Sequence, residues 1–230
     1  FLLMGVYRFI SGNILKHMKI DLIHSHMSYP GGFLGTIIQR RKGIHNIVTE
    51  HSWVNKHFRS FVHRICVLYT LNNCSRIVAV SKALKENIRQ FTQRPISVIP
   101  NLVSEERFNN SGRKSGEIIN FGILGSYDSP VKGLDVLLTA VSLKPDNRIH
   151  LHIGGKGSLL EAYKSMASEL GIDHLCTFHG EVPPGKVPDF FSGLDIYVLA
   201  SRKETFGVVV LEALASGIPV ISTRCGGPED

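Results

Sequence analysis

The segment SRKETFGVVVLEALASGIPVIST, residues 201–223, indicates the fold class and holds the strongest functional signal of the chain. It predicts a short loop, a helix over residues 207–216 and a buried strand over residues 219–223. A helix N-terminus has unpaired N–H groups and a partial positive charge, so it favours phosphate. Glu204 before the helix and Glu212 within it could accept hydrogen bonds from two polyols. The segment suits a sugar nucleotide; the alternative is a surface helix with two solvated glutamates.

The alternation of strand and helix extends along most of the chain. Short apolar runs are separated by longer amphipathic stretches, which is typical of a parallel sheet with crossover helices. Strands are predicted over residues 22–24, 46–49, 77–80, 97–99, 118–124, 149–153, 176–178, 196–199 and 220–223. Helices are predicted over residues 32–41, 57–71, 82–91, 134–142, 159–170, 187–191 and 208–215. The sequence therefore predicts an α/β fold.

A polar, glycine-bearing stretch near residues 103–116 predicts a linker between two doubly wound domains, residues 1–105 and 106–230. Ligands of open α/β sheets bind outside the carboxyl ends of the strands. The candidate residues all follow predicted strands directly: His51, residues 125–132, residues 154–157 and Glu204. We therefore expect a ligand site in a cleft between the two domains.

Composition limits the class of protein. A content of 43% hydrophobic and 20% charged residues is ordinary for a globular protein. The cysteines Cys66, Cys74, Cys176 and Cys225 form no C-x-x-C pattern, so reduced thiols are expected rather than disulfides or zinc ligands. No signal-peptide pattern occurs, and no apolar run reaches the ~18 residues of a membrane span. These features favour a cytoplasmic protein.

The net charge of +7 is concentrated in the first hundred residues. A basic half suits contact with an anionic membrane surface, at the inner face, or with an acidic acceptor, and it equally suits solvated helix faces. Aromatic residues do not alternate with the basic ones, which argues against nucleic acid. In the N-terminal half, His24 and His26 have a spacing that permits a metal, but no third ligand is evident nearby.

The segment ETFGVVVLEALASGIPVIST with the later GGPED resembles the donor-site signature of family 4 retaining glycosyltransferases, which have the GT-B fold. GLDVLLTAV, VPDFFSGLDIYVLASRKETFG and RIVAVSKALKENI also occur in the family's order, and the resemblance extends from about Asp21. It implies two Rossmann-like domains, both incomplete here: an N-terminal acceptor-side domain and a C-terminal donor-binding domain. Because the chain begins at Phe1 and ends after GGPED, we interpret it as a fragment of a longer enzyme.

The resemblance also implies roles for individual residues. Lys132 matches the lysine that contacts the donor diphosphate, and His51 matches a histidine that faces the reacting sugar. Glu204 would orient the sugar and Glu212 would bind the ribose. The predicted catalytic residues are therefore Glu204, His51 and Lys132. The predicted donor-binding residues are Gly125, Ser126, Lys132, Gly154, Gly155, Glu204, Thr205, Phe206, Gly207 and Glu212.

One position departs from the family's pattern. The family has an arginine after the glycine of the first donor loop, whereas this chain has Ser126 in a loop about one residue longer. Three readings follow: weaker donor binding, another basic residue in the same role, or a different donor.

The sequence predicts transfer of a sugar from a nucleotide-diphospho-sugar to a glycan or lipid-linked acceptor, with retention of configuration. No metal is expected, because the chain has no Asp-x-Asp motif to hold one on the diphosphate. A GT-B-fold sugar-nucleotide epimerase is one alternative, and release of nucleotide and epimer without an acceptor would distinguish it. A non-catalytic nucleotide-binding fragment is the other.

Overall fold

The computed structural model describes residues 2–108 and 116–230. Half of the predicted linker, residues 109–115, lies outside the described residues. The chain divides into two compact units, Phe1–Asn101 and Leu102–Glu229, close to the boundary predicted at residue 105.

The first unit is a parallel sheet with helices between its strands. Its described strands are β1 (Leu22–His26), β2 (His45–Glu50), β3 (Arg76–Ala79) and β4 (Ile96–Val98), adjacent in chain order. Its helices are α1 (Leu2–Phe9), α2 (Phe33–Lys42), α3 (Phe61–Asn73) and α4 (Lys82–Arg89). Apolar side chains from the sheet and from α3 and α4 are fully buried between these layers, among them Val48, Val67, Leu71, Leu84 and Ile88.

The second unit is a parallel sheet whose strand order reverses. Its described strands are β5 (Ile119–Ser126), β6 (Ile149–Lys156), β7 (Cys176–Gly180), β8 (Ile196–Leu199) and β9 (Val220–Ser222). Their order in space is β7-β6-β5-β8-β9, so the order reverses between β5 and β8. The helices are α5 (Leu134–Ser142), α6 (Leu160–Glu169), α7 (Val187–Ser192) and α8 (Val208–Ala215). In such sheets the reversal marks the crevice where ligands bind.

Two strands extend beyond their predicted ends. β5 continues to Ser126 and β6 to Lys156, so Gly125 and Gly155, predicted to lie in loops, are paired within the sheet. The physical reason is close approach of the two backbones: a Cβ on Gly155 would lie 1.9 Å from the carbonyl oxygen of Gly125. Glycine permits this pairing where any other residue would end it.

Helix α3 begins later than predicted. The prediction started it at residue 57, but Val54–His57 forms a separate 3-10 turn and α3 starts at Phe61. Ser60 caps α3, because its hydroxyl accepts the N–H of His63. The turn and cap place polar side chains beside the carboxyl ends of β1 and β2.

Candidate active site

Two charged side chains meet at the order reversal of the second sheet. Lys132 lies in the turn after β5, and Glu204 lies in the loop after β8. The ammonium Nζ of Lys132 donates to Oε1 of Glu204 at 2.6 Å. Their side chains are 25% and 12% exposed, so the pair is shielded more than a surface ion pair but remains open to a ligand.

Other groups fix the position of Glu204. The hydroxyl of buried Ser201 donates to Oε1 at 2.8 Å. The backbone N–H of Glu204 donates to the carbonyl of Cys225 at 2.7 Å, and the N–H of Gly227 donates to the carbonyl of Glu204 at 2.9 Å. Both side-chain bonds use Oε1, and Oε2 has no hydrogen-bond partner among residues 2–108 and 116–230. One carboxylate oxygen is therefore held while the other can accept a hydrogen bond.

Arg202 positions the turn that carries Lys132. Its backbone N–H donates to the carbonyl of Val131 at 2.8 Å, and its guanidinium also reaches the carbonyl of Pro130. The guanidinium pairs with both carboxylate oxygens of Asp135, at 2.9 and 2.6 Å, and this hydrogen bonding lowers the pKa of Asp135. Arg202 thus links the loops that follow β5 and β8.

Gly133 brings these two loops into contact. It has a φ of 67°, in the left-handed region. A Cβ at this position would lie 1.9 Å from the carbonyl oxygen of Ala200, at the end of β8. A side chain at position 133 would therefore push apart the loops that carry Lys132 and Glu204.

The N-terminus of α8 lies beside Glu204. Thr205, Phe206 and Gly207 form the turn into the helix, and the first N–H groups of any helix lack intrahelical acceptors. The segment after β9 packs on this turn, since a Cβ on Gly227 would lie 2.4 Å from the backbone of Phe206. These N–H groups and the helix dipole make the turn a candidate site for an anion.

Glu212 lies further along α8, and it is partly exposed. Burial raises the pKa of Tyr197, and the negative charges of Glu204 and Glu212 also raise it. Both carboxylates therefore lie within electrostatic range of the Tyr197 hydroxyl.

Ser126, the last residue of β5, and Tyr127, the first residue after it, differ in exposure. Ser126 is exposed, and its hydroxyl donates to Oδ2 of Asp128 at 2.8 Å. Tyr127 is fully buried, and its hydroxyl donates to the carbonyl of Gly154 at 3.1 Å. Because the loop is about one residue longer than in the family, either position 126 or position 127 could match the family's arginine, and of the two only position 126 is exposed.

Two of the glycines predicted to bind the donor lie in close contact with neighbouring side chains. A Cβ on Gly125 would lie 3.2 Å from Cγ of Lys132, so this glycine makes room for the lysine stem. A Cβ on Gly154 would lie 2.8 Å from Leu124 and near Val182, so that face of Gly154 meets apolar side chains.

His51 lies in the first unit, directly after β2. Its Nε2 shares a 2.8 Å hydrogen bond with Nδ1 of His26, and the two rings stack with centroids 5.1 Å apart. Burial lowers the pKa of His51, and His26 and His24 act in the same direction, while Glu50 opposes them. His51 is therefore neutral near pH 7 and able to donate or accept one hydrogen bond.

Within the described ranges, no group of three His, Cys, Asp or Glu side chains is placed to hold a metal ion. In the same ranges, no helix has the length and apolar character that crossing a membrane requires.

The structure thus joins Lys132, Glu204 and the start of α8 in one unit, and His51 and His26 in the other. Sequence reasoning missed Ser201, Arg202 and the backbone of residues 225–227. A hydroxyl directly after a predicted strand was the only available signal for Ser201.

Comparison with known proteins identifies the family. The family model for glycosyl transferases group 1 matches residues 105–230. The chain belongs to this family. A second model, Glycosyltransferase Family 4, matches residues 2–107.

Curated relatives agree with this assignment. An uncharacterized glycosyltransferase of Methanocaldococcus jannaschii is 30% identical over 98% of this chain and 62% of its own length. The GPI3 subunit of phosphatidylinositol N-acetylglucosaminyltransferase from Saccharomyces cerevisiae is 28% identical over 94% of this chain and 50% of its own. The chain thus spans between half and 62% of these two relatives.

Solved structures show the fold. Sucrose-phosphate synthase of Thermosynechococcus elongatus has a TM-score of 0.80 at 21% identity, covering 98% of this chain and 62% of that one. Anabaena HepE, solved in complex with UDP and glucose, has a TM-score of 0.79 at 19% identity, covering 99% of this chain and 64% of that one. The predicted α/β fold of GT-B type is confirmed.

Proposed function

We propose that this chain transfers a sugar from a nucleotide-diphospho-sugar donor to a glycan or lipid-linked acceptor, with retention of anomeric configuration. The observation that carries the proposal is the contact between Lys132 and Glu204 at the order reversal of the second sheet. A cation and a carboxylate beside a helix N-terminus suit a ligand with both phosphates and hydroxyls. HepE, which has a similar fold and was solved with UDP and glucose, supports this class of donor.

Lys132 and the start of α8 would bind the diphosphate. An ammonium has three N–H donors, so its bond to Glu204 leaves others for phosphate oxygens. The N–H groups of Phe206, Gly207 and Val208 add donors that are fixed in direction. Ser126 and the two glycines Gly125 and Gly154 would border the phosphates.

Glu204 would orient the sugar. Its Oε1 is occupied by Lys132 and Ser201, so Oε2 is the oxygen that would accept from a sugar hydroxyl. Glu212, one to two turns along α8, would accept from the ribose. Neutral His51 would donate a hydrogen bond to the reacting sugar or acceptor.

The chemical step would depend on electrostatic stabilisation. As the bond between sugar and diphosphate breaks, negative charge grows on the diphosphate, beside Lys132 and the start of α8. The acceptor would attack from the face of the leaving group, and the departing phosphate oxygen would take the acceptor proton. No carboxylate nucleophile is then needed, and the configuration is retained.

We also propose that no metal is required, because Lys132 and the helix terminus supply the positive charge that Mg²⁺ or Mn²⁺ would supply elsewhere. The protein would act in the cytoplasm, with its basic first unit suited to an anionic membrane surface.

The test is a panel of UDP-, GDP- and ADP-sugars incubated with the protein in EDTA, followed by NMR. Transfer or slow donor hydrolysis is expected, and the first sugar released should have the configuration of the donor. An inverted product would contradict retention. Activity that returns only with added divalent cation would contradict metal independence. Release of an epimer without any acceptor would favour the epimerase alternative.

A further inference from the structure

A basic cavity of about 490 Å³ lies within the first unit, beside the carboxyl ends of β1 and β2 and the start of α3. Its polar wall consists of side chains from three short segments: Tyr29, Ser52, Lys56, His57, Arg59 and His63. No role in the proposed donor site accounts for this cavity, since the donor residues lie in the second unit.

The wall of the cavity is positively charged. Lys56 and Arg59 are exposed, and neither forms an ion pair with any residue in the described part of the chain. No carboxylate is among the described residues of the wall. Glu50 lies behind His57, is fully buried, and is satisfied by the N–H of Ser28 at 2.7 Å and by His57 at 2.8 Å. The side chains available to a ligand are therefore cationic or neutral donors.

Two histidines of the wall are held in place. Nε2 of His57 contacts Oε1 of Glu50 and lies 2.9 Å from the hydroxyl of Ser52. Nδ1 of His63 shares a 2.8 Å hydrogen bond with the hydroxyl of Ser60, and its ring packs edge-on against Tyr29, with centroids 4.7 Å apart. Two long cations beside two fixed imidazoles form the kind of donor set that recognises phosphate.

The cavity also adjoins the predicted catalytic histidine. Ser52, in its wall, follows His51 directly, and Met27, also in its wall, follows the hydrogen-bond partner His26. A ligand bound here would therefore lie next to the segment that carries His51.

We propose that this cavity binds the phosphate group of an anionic acceptor. The inference rests on the proposed function, in which the first unit takes the acceptor. Lys56 and Arg59 pair with the phosphate oxygens, and the phosphate fixes the acceptor beside His51. The phosphate belongs either to a soluble phosphorylated sugar or polyol, or to a lipid headgroup.

The test follows the imidazole NMR signals of His57 and His63 during titration with inorganic phosphate and with glycerol 3-phosphate. Glycerol is the uncharged control ligand. The double variant Lys56→Gln/Arg59→Gln should weaken binding by about tenfold or more, because it removes both charge-assisted contacts. Lys42→Gln/Arg76→Gln removes the same charge from exposed positions outside the cavity, and it should change binding by less than about twofold.

Sedimentation with phosphatidylcholine vesicles, with and without phosphatidylglycerol, separates the two sources of phosphate. If vesicle binding depends on Lys56 and Arg59 more than on Lys42 and Arg76, the ligand is a lipid headgroup. If glycerol 3-phosphate alone binds at the cavity, the ligand is soluble.

Failure of this inference can be told from failure of the proposed function. The proposal is overturned if phosphate and glycerol 3-phosphate leave the NMR signals of His57 and His63 unchanged and the protein does not sediment with anionic vesicles, or if both double variants lose binding equally. Titration of the same proteins with nucleotide diphosphates tests the donor site independently, and the cavity variant should keep that affinity.

Discussion

At the scale of single residues, the two carboxylate oxygens of Glu204 differ in their hydrogen bonding. Oε1 is bound by Lys132 and Ser201, and Oε2 faces no partner within the described residues. This arrangement fixes the direction of Oε2 before any ligand arrives, so the hydrogen bond that we propose between Oε2 and a sugar hydroxyl would carry little cost of ordering.

Replacing Glu204 by alanine should strongly reduce the rate of transfer while the fold persists. Loss of an oriented acceptor should cost roughly 2–4 kcal/mol of transition-state stabilisation, or about 30- to 1,000-fold in rate. Steady-state kinetics would measure the loss, and thermal unfolding would check the fold. Glu181→Ala removes an exposed glutamate of the same unit, paired with Lys156, and should leave the rate unchanged. Near-normal turnover by Glu204→Ala would remove Glu204 from the mechanism.

The substitution Ser126→Arg tests whether the predicted phosphate loop lacks the cation that the family has there. Ser126→Arg should tighten binding of nucleotide diphosphates by at most about 1.5–3 kcal/mol, because it adds a charge-assisted contact at an exposed site. The gain should shrink at high salt and be absent for nucleosides. Calorimetry would show it. Tyr127→Arg should instead destabilise the protein, since it buries a charge in the core. Unchanged affinity in Ser126→Arg would mean either that another basic residue already fills this role or that residues 125–132 do not form the phosphate loop.

The role of a single residue could be predicted where the residue belongs to a sequence motif. It could not be predicted where the role depends on a contact with a residue distant in the chain. Glu204 and Lys132 follow predicted strands, so both could be proposed from the sequence. The ion pair between them could not, because it depends on β5 and β8 being neighbours. Arg202 resembled any exposed arginine until its contacts with Asp135 and Val131 were visible.

At the scale of elements, glycines account for the errors at the carboxyl ends of β5 and β6. Gly125 and Gly155 suggested loops, yet both are paired in strands because their backbones approach closely. The predicted bounds of α5, α8 and β8 match the structure, since clear apolar runs define them. A glycine in the sequence can thus indicate either a turn or a close contact between two backbones, and only the position of the partner strand distinguishes these cases.

Gly133→Ala should separate the loops that follow β5 and β8. The substitution combines left-handed strain with overlap on the carbonyl of Ala200, so we expect a loss of about 2–5 kcal/mol in unfolding free energy. Gly171→Ala is the matched control: it has the same φ of 67°, but a Cβ there meets nothing within 4 Å. It should cost only about 1–2 kcal/mol. Urea titration would measure both, and equal losses would rule out the close contact as the cause.

At the scale of the whole molecule, the two units differ in how their strands are ordered. The described strands of the first sheet follow chain order, whereas those of the second reverse between β5 and β8. The alternation of strands and helices predicted parallel sheets correctly. It could not predict strand order, because crossovers of similar length can return to either edge of a sheet. The position of Lys132 and Glu204 at the reversal was therefore visible only in three dimensions.

The central claim is that Lys132, at the reversal of strand order in the second unit, binds a nucleotide diphosphate. Isothermal titration of UDP, GDP and ADP tests it directly, with the matching nucleosides as controls. One diphosphate should bind saturably, Lys132→Gln should weaken it by about tenfold or more, and the nucleosides should bind far more weakly. Lys164→Gln, which alters an exposed lysine on α6 paired with Glu161, should retain full affinity. Absence of binding for all three diphosphates, or equal affinity in Lys132→Gln and the unsubstituted protein, would contradict the account.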